Sequence, residues 1–544
     1  MTEPSTFPAL FAEIASARAD HPALVIAGET ITYAELDRRS ARTAKALLAT
    51  GVGKGTRVGL LAPDGELMLT TFYAALRIGA LVTPISTLAT PPELAHILAT
   101  SDVQVLIGAR RFLRRDFVEA LEVALPELPA APDRTLWLPS APHLRSIWLD
   151  DAEGVAWAGA VGDLLARADA AGAPSDELLA AVERAVSSAD DAFVVYTSGS
   201  TATPKAVVHG QRTVATKPRS LAALFLMHEG DRTMPLLPAF WLGGIAAALQ
   251  VLCTGGTLVY PPSPEVGDVL EMIERHDVTY VVVWHALAKL RAAAKERGIA
   301  VDRIRGLGWR PVQADGKPTP PQLRANLLGM SESFSAHSGE PIDQRMPDGK
   351  EGSSGRAVHG IERRVVDPDT GAERPAGEVG ELEIRGGGVM TGFYKVPRDE
   401  VFTPDGFYRT KDLARIDPDG YLWFVGRISD MIKTSSANVS RLEVEAALNA
   451  LPEVERSFVA ALPDAERGEI VAAAVVPAVG ATPTEEHLRA ALRDRLSAFK
   501  IPRRIVFIGE EAVPVTATGK VRLFELAQMI ESRLADDGPS SVAS

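Results

Sequence analysis

The chain is short of cysteine, of basic charge and of long hydrophobic runs, and each shortage excludes something. Cys253 is the only cysteine in 544 residues. An intramolecular disulfide and a cysteine-rich metal site are therefore excluded, and a reduced, cytoplasmic setting is expected. Lys and Arg number 57 against 70 Asp and Glu, a net charge of −13, which argues against a general nucleic-acid binder. It does not exclude a polyanionic small ligand, since a few local cations and backbone N–H groups can hold a phosphate. Thr233 to Pro264 contains no charged residue, yet Pro235, Pro238, Gly243, Gly244, Gln250, Gly255 and Gly256 interrupt it. It lacks the clean run of ~20 apolar residues that a membrane span needs and reads as a buried helix and strand with turns. Met1 to Pro22 shows neither the basic start nor the apolar core of a secretory signal. The small, polar tail after Leu534 reads as a frayed end. No internal repeat is visible.

What is present is ordinary globular material in quantity. Apolar residues make up 46% and charged residues 23%, enough for large cores, and the length exceeds one simple domain. Short apolar runs alternate with amphipathic stretches, the pattern of α/β layers. Arg57–Ala62, Val103–Ile107, Thr279–Trp284 and Gly380–Arg385 read as strands, and Pro92–Ser101 and Glu271–Asp277 as helices. After about Arg427 the texture changes to a compact unit. A helix is expected at Arg441–Leu451, a strand near Ile470–Val476, a helix at Thr484–Leu496 and a last strand before Gly519-Lys520. Two domains are expected, 1–429 and 430–544, joined near Gly426–Asp430.

One segment carries chemistry on its face. After the apolar run Ala192–Val195 comes Tyr196-Thr-Ser-Gly-Ser-Thr-Ala-Thr-Pro-Lys-Ala206, with five Ser and Thr hydroxyls, one glycine and one lysine. Such a loop can turn hydroxyls and N–H groups inward around phosphate oxygens while Lys205 supplies positive charge. A Ser/Thr-rich surface turn has the same composition, and composition alone leaves both readings open. The familiar nucleotide-triphosphate loop is excluded, because no Gly-Lys is followed by Ser or Thr at the required spacing. Gly53-Lys54 runs into Gly55 and reads as a turn, and Gly519-Lys520 runs into Val521.

Tyr196–Ala206 resembles the signature loop of the adenylate-forming superfamily, which holds acyl-CoA synthetases, aryl-CoA ligases, luciferases and peptide-synthetase adenylation domains. The family pattern is Tyr-Thr-Ser-Gly-(Ser/Thr)-Thr-Gly-x-Pro-Lys-Gly, with Ala202 and Ala206 replacing two of its glycines. The chain is closest in pattern to AMP-forming acyl-CoA synthetases, including fatty-acid–CoA ligases. Further segments resemble the family's motifs in the same order, from Thr32-Tyr33-Ala-Glu-Leu36 to Lys520. The resemblance implies an α/β fold with an α+β C-terminal part: a large N-terminal adenylate-forming domain of layered sheets and helices, plus a small mobile C-terminal domain. It also implies an ATP-dependent acid–thiol ligase, which forms an acyl adenylate and passes the acyl group to coenzyme A.

Residue roles follow from the same resemblance. Thr197, Ser198, Gly199, Ser200, Thr201, Thr203 and Lys205 are expected to clamp the β- and γ-phosphates of ATP. Leu328-Gly329-Met330-Ser331-Glu332 resembles the family's Tyr-Gly-x-Thr-Glu. That makes Glu332 the ligand of Mg²⁺, a hard cation that takes carboxylate oxygens, brings Ser331 to the α-phosphate and Gly329 beside the nucleotide, and puts Leu328 where an aromatic residue usually stacks on adenine. A register with Glu340 as the ligand stays open. Ala314-Asp-Gly316 stands for the turn beneath adenine, and a plain turn before Pro318 explains it equally well. Tyr408-Arg-Thr-Lys-Asp412-Leu413 resembles the family's Thr-Gly-Asp segment, with Lys411 in the glycine position and Asp412 as acceptor for both ribose hydroxyls. Arg427 is expected near ribose and phosphate, and Asp430 at the hinge. Met431–Val439 matches the loop that faces the active site during thiol transfer, including Lys433, with Ser435 and Ser436 where glycines are usual. Pro514–Lys520 resembles the last motif, which assigns Lys520 to the α-phosphate and the acid's carboxylate as pyrophosphate leaves. Asp417–Gly420 reads as a hairpin turn, Glu443 and Glu445 as a solvated helix face, and His285 and His337 as ordinary packing or surface residues.

Phe240, Trp241, Gly243 and Gly244 correspond to the family's acid pocket. Aromatic side chains there suggest an apolar acid, fatty, aromatic or polycyclic. No acidic residue nearby is in place to anchor an α-amino group. No carrier-protein segment follows Lys520, so free coenzyme A is the expected thiol. The expected partners are thus a small carboxylic acid, ATP, Mg²⁺ and coenzyme A, with no nucleic acid and no membrane span; a homodimer stays open. Three other classes remain: an adenylating enzyme that loads a carrier protein, a luciferase-like oxygenase and a non-catalytic scaffold. Lys520, Asp412 and Glu332 argue against the last.

Overall fold

A computed structural model describes residues 4–26, 28–197, 205–283, 287–301, 304–306, 324, 326–428, 431–434, 437–464, 468–493, 495–496, 500–515 and 521–536. The chain divides into two compact units. The first is Met1–Arg363 with Ile384–Arg409 and Asp419–Leu422; the second is Arg364–Glu383 with Thr410–Pro418 and Trp423–Ser544. The second unit therefore includes two segments that precede residue 430.

In the first unit an eight-stranded sheet runs Gly392–Phe393, Lys205–Gly210, Asp191–Thr197, Leu81–Pro84, Arg57–Leu61, Val105–Gly108, Ser146–Leu149, Gly159–Ala160. From Asp191–Thr197 onward neighbours are parallel, whereas Lys205–Gly210 pairs antiparallel on both sides. Parallel strands are covered on both faces and so read as unbroken apolar runs; in Arg57–Leu61 every residue after Arg57 is buried. A five-stranded sheet lies in the order Tyr280–Val282, Arg232–Pro235, Thr257–Tyr260, Pro22–Ile26, Glu29–Thr32, with only the last pairing antiparallel. The expected strands and helices form within a few residues of their predicted ends, including Pro91–Thr100 and Val266–Arg275.

The uncharged stretch becomes core. It supplies the strand Arg232–Pro235, the helix Leu242–Thr254 with nearly every residue buried, and the strand Thr257–Tyr260. Gly255 at φ 71° ends that helix in the left-handed conformation open to glycine. Among the described residues no helix is long and apolar enough to cross a membrane. Gly53-Lys54 forms the expected turn: the Thr56 N–H donates to the Gly53 carbonyl at 3.0 Å.

In the second unit the strands Val454–Asp464, Gly468–Pro477, Met431–Thr434 and Ala437–Ser440 pair antiparallel, and Arg504–Phe507 joins Gly468–Pro477 in parallel. Alternation along the central strand explains its apolar sequence. Val471, Ala473 and Val475 pack with Val444, Leu448, Leu488 and Leu492 on one face, while Ala472, Ala474 and Val476 pack with Leu526 and Ile530 on the other. Ser440 and Thr484 cap the helices Arg441–Asn449 and Glu485–Leu492 by accepting N–H groups from Glu443 and His487. The closing helix Leu523–Asp536 was not anticipated. Glu445 corrects the reading of a solvated helix face: its carboxylate accepts the Val459 N–H at 2.8 Å and the Arg441 guanidinium at 2.6 Å. Glu443 pairs with Lys500.

Candidate active site

The strands Asp191–Thr197 and Lys205–Gly210, which flank the expected phosphate loop in sequence, pair antiparallel. Thr197 faces Lys205 in register. Ser198, Gly199, Ser200, Thr201 and Thr203 lie outside the described residues. The Lys205 ammonium stands 5.2 Å from the Phe393 ring centroid, over the edge strand that borders it, where a π face favours a cation.

A second element is tied to this pair by backbone contacts. Leu328–Met330 and Ser335–Gly339 pair antiparallel, and the 3₁₀ turn Ser331–Ser333 lies between them. Phe334 and Ser335 follow it at φ 55° and 103°, left-handed values that non-glycine residues rarely take. Gly329 is fixed by close approach, since a Cβ there would lie 2.2 Å from the Ser335 carbonyl oxygen. The His209 Nε2–H donates to the Ser331 carbonyl at 2.8 Å. The Glu332 carbonyl accepts the Met390 N–H at 2.7 Å, and the Thr391 N–H donates to Val208 at 2.9 Å. Burial pushes His209 down to about 4, against the opposing hydrogen bond to Ser331, so the ring is a neutral donor. Phe334 meets that ring edge-on at 5.1 Å.

Glu332 is half-buried, and its Oε1 accepts the Tyr408 hydroxyl at 3.2 Å. Glu340, the other candidate metal ligand, is buried and held by the Arg356 guanidinium at 2.9 Å. Among the described residues no three His, Cys, Asp or Glu gather at one point. Glu332 alone offers one carboxylate, a donor of the kind that suits Mg²⁺ bound largely through substrate phosphates.

In the second unit Asp412, almost fully buried, pairs with half-exposed Arg427 through Nε at 3.0 Å. The Asp412 N–H donates to the Thr410 hydroxyl, which donates to the Leu382 carbonyl at 2.7 Å. Lys411, in the family's glycine position, has φ 61°, a conformation glycine reaches without strain. Lys433 pairs with Asn438 in the hairpin Met431–Thr434 and Ala437–Ser440. Gly316, Asp430, Ser435, Ser436 and Lys520 lie outside the described residues, as does His285.

At the expected acid pocket Phe240 is buried and Trp241 half-buried, their rings edge-to-face at 5.2 Å. Gly243 and Gly244 serve close packing. A Cβ on Gly244 would lie 2.4 Å from the carbonyl oxygens of Leu237 and Pro238, and one on Gly243 would lie 2.9 Å from Leu237 Cδ1. Asp64, which sequence reasoning missed, holds this segment by accepting the Ala239 N–H at 2.6 Å. Burial raises its carboxyl to about 6, against that hydrogen bond. His209 was missed as well; the one signal was its place at the end of the apolar run that follows Lys205.

A model described as AMP-binding enzyme matches residues 11–394, and one described as AMP-binding enzyme C-terminal domain matches 443–520. The chain belongs to the AMP-binding enzymes. This AMP-binding enzyme is 31% identical over 525 residues to a feruloyl-CoA synthase of Amycolatopsis, covering 91% of this chain and 93% of that protein. It is 29% identical over 521 residues to an indoleacetate–CoA ligase of Aromatoleum aromaticum, covering 92% and 93%. ATP-bound MatB from Rhodopseudomonas palustris superposes with a TM-score of 0.72 at 25% identity, covering 97% of this chain and 99% of MatB. The large N-terminal and smaller C-terminal α/β architecture implied by the motifs is that of these structures.

Proposed function

We propose that this AMP-binding enzyme ligates a carboxylic acid with an apolar body to coenzyme A, and that the residues assigned from the motifs carry the reaction. It is an AMP-forming acyl-CoA synthetase. The acid's carboxylate attacks the α-phosphorus of ATP, the bond to the β-phosphate breaks and pyrophosphate leaves. The thiol of coenzyme A then attacks the acyl carbon of the adenylate and AMP leaves.

The observation that carries the reading is the tie from His209 to Ser331, which fixes the strand leaving the phosphate loop against the turn bearing Ser331 and Glu332. In our reading Lys205, Thr197 and the loop Ser198, Gly199, Ser200, Thr201 and Thr203 take the β- and γ-phosphates, and Ser331 approaches the α-phosphate. Glu332 would hold Mg²⁺, which when bound neutralises phosphate charge. Asp412, oriented by Arg427, takes the ribose hydroxyls. Lys520 meets the charge that develops at the α-phosphate and carboxylate. The Lys433–Val439 hairpin, with Ser435 and Ser436, serves thiol transfer after a turn about Asp430. The matched regions 11–394 and 443–520 support a functional boundary between 429 and 430. Phe240 and Trp241 support an acid with an apolar body, and relatives that act on ferulate, indoleacetate and fatty acids support a substrate in that range. The single cysteine supports a cytoplasmic site of action.

The test is mass spectrometry of products from ATP, Mg²⁺, coenzyme A and a mixed acid library. An acyl-CoA with AMP and pyrophosphate is expected. Acyl adenylate without thioester would instead point to a carrier protein as acceptor.

A further inference from the structure

Two buried side-chain nitrogens in the first unit have no hydrogen-bond partner among the described residues. Lys217, on the helix Gln211–Leu224, is 2% exposed, and its ammonium has no hydrogen-bond partner among the described residues. Its stem crosses Gly388: a Cβ there would lie 2.7 Å from Lys217 Cδ and 3.1 Å from Cε, so the glycine leaves room for the lysine. His337, fully buried on the strand Ser335–Gly339, is the second. Arg363 donates to the Ser338 hydroxyl at 2.6 Å, and that hydroxyl, 2.9 Å from His337 Nδ1, is free to give its own hydrogen to the ring. In that arrangement the neutral ring carries its proton on Nε2, which has no partner among the described residues.

The electrostatics agree. Burial pulls Lys217 down to about 7. Burial, then the charges of Arg363 and Lys217, hold His337 at about 3. Among the described residues no carboxylate bonds Lys217 or His337, and Glu340, which acts on Arg363, is bonded to Arg356. Buried polar atoms in native proteins find partners in protein, water or ligand, and a buried ammonium whose charge acts on the His337 ring calls for an anionic acceptor.

Both groups stand on elements that build the site. His337 lies on the strand that follows the Ser331–Ser333 turn. The helix of Lys217 begins where the strand from Lys205 ends, and it packs against the helix that Trp241 opens. We propose that Lys217 and His337 Nε2 receive a compact anionic group, a carboxylate or sulfonate, at the far end of the acid, so that the substrate is anionic at both ends. This assignment rests on the acid–CoA ligase reading.

The test follows pyrophosphate release with ATP, Mg²⁺ and coenzyme A for acids of matched length ending in methyl or in carboxylate, hexanoic against adipic and decanoic against sebacic. The wild type is expected to favour the doubly anionic acid by ~10²-fold in kcat/KM. Lys217→Met should lower that ratio by at least about 30-fold. Gly388→Ala, which drives a methyl into the lysine stem, should lower it with Lys217 still present, and so covers the case in which the methionine variant does not fold. A ratio favouring the methyl-ended acid and unmoved in either variant overturns this proposal and leaves the ligase reading standing. Absence of pyrophosphate with every acid, from folded protein, overturns the ligase reading itself and the proposal with it. Stimulation of methyl-ended acids by added formate in wild type but not in Lys217→Met would mark a site for a free anion and overturn the assignment to the substrate.

Discussion

The His209 Nε2–H donates to the backbone carbonyl of Ser331 across 2.8 Å, joining the strand Lys205–Gly210 to the turn Ser331–Ser333, far apart in sequence. Replacing His209 with Phe keeps an aromatic ring against Phe193 and Phe334 but removes the bond between the two segments, leaving that carbonyl only the local Phe334 N–H at 3.2 Å. The net loss of one such hydrogen bond costs about 0.5–1.5 kcal/mol. His209→Phe is expected to lose stability of this order and to raise the KM for ATP. Denaturant midpoints with ATP–pyrophosphate exchange check it; unchanged values for both would remove the tie from the account.

The same ring makes a pH prediction. Burial holds His209 at about 4 and His337 at about 3 in the fold, below the unfolded value of 6.5. Between those values the two rings bind more protons in the unfolded chain, so their contribution to folding stability is full above ~6.5 and declines as pH falls, by about 1.4 kcal/mol per pH unit for each histidine. Urea midpoints measured from pH 7.5 downward should show this fall, and His209→Gln should show less of it. Equal slopes for variant and wild type would contradict the assignment.

The fold was legible where local rules agree with the tertiary outcome. Thr32 caps the helix Tyr33–Ala49, and apolar runs such as Val105–Gly108 became parallel strands covered on both faces. Contacts that join distant segments were not legible. Asp64 holding Ala239, Glu445 capping Val459, and His209 reaching Ser331 depend on which loops the sheets bring together, and no spacing in the sequence encodes that. Gly243, Gly244 and Gly329 read as ligand contacts; backbone atoms of neighbouring segments crowd Gly244 and Gly329, and Gly243 meets the end of the Leu237 side chain, which no spacing shows. Lys217 was silent in sequence because an isolated lysine is nearly always a solvated side chain.

Lys411 occupies φ 61°, where a side chain beyond glycine is strained by ~1–2 kcal/mol. Lys411→Gly is therefore expected to raise stability by roughly 0.5–1 kcal/mol, and Lys411→Ala, which keeps a Cβ, to leave it near wild type. Chemical denaturation of the three proteins decides it; stabilisation by alanine equal to that by glycine would show that backbone strain is not the cause.

Lys205→Ala should weaken the use of ATP with every acid, by about 1.5–3 kcal/mol for the loss of a charge-assisted bond. The KM for ATP at saturating acid reads this directly. Normal ATP dependence would mean that Lys205 does not hold the phosphates.

The central claim is that one active site runs two half-reactions with different groups, Lys520 for adenylation and the Lys433–Val439 hairpin for thiol transfer. Single-turnover kinetics of Lys520→Ala separate them most directly. Formation of acyl adenylate from acid and ATP should fall by roughly 10²–10³-fold, the scale for removing one preorganised charge stabiliser. The same protein, given synthetic acyl adenylate and coenzyme A, should make thioester at nearly the wild-type rate. Equal loss in both half-reactions from a folded variant, or none in adenylation, would contradict the account.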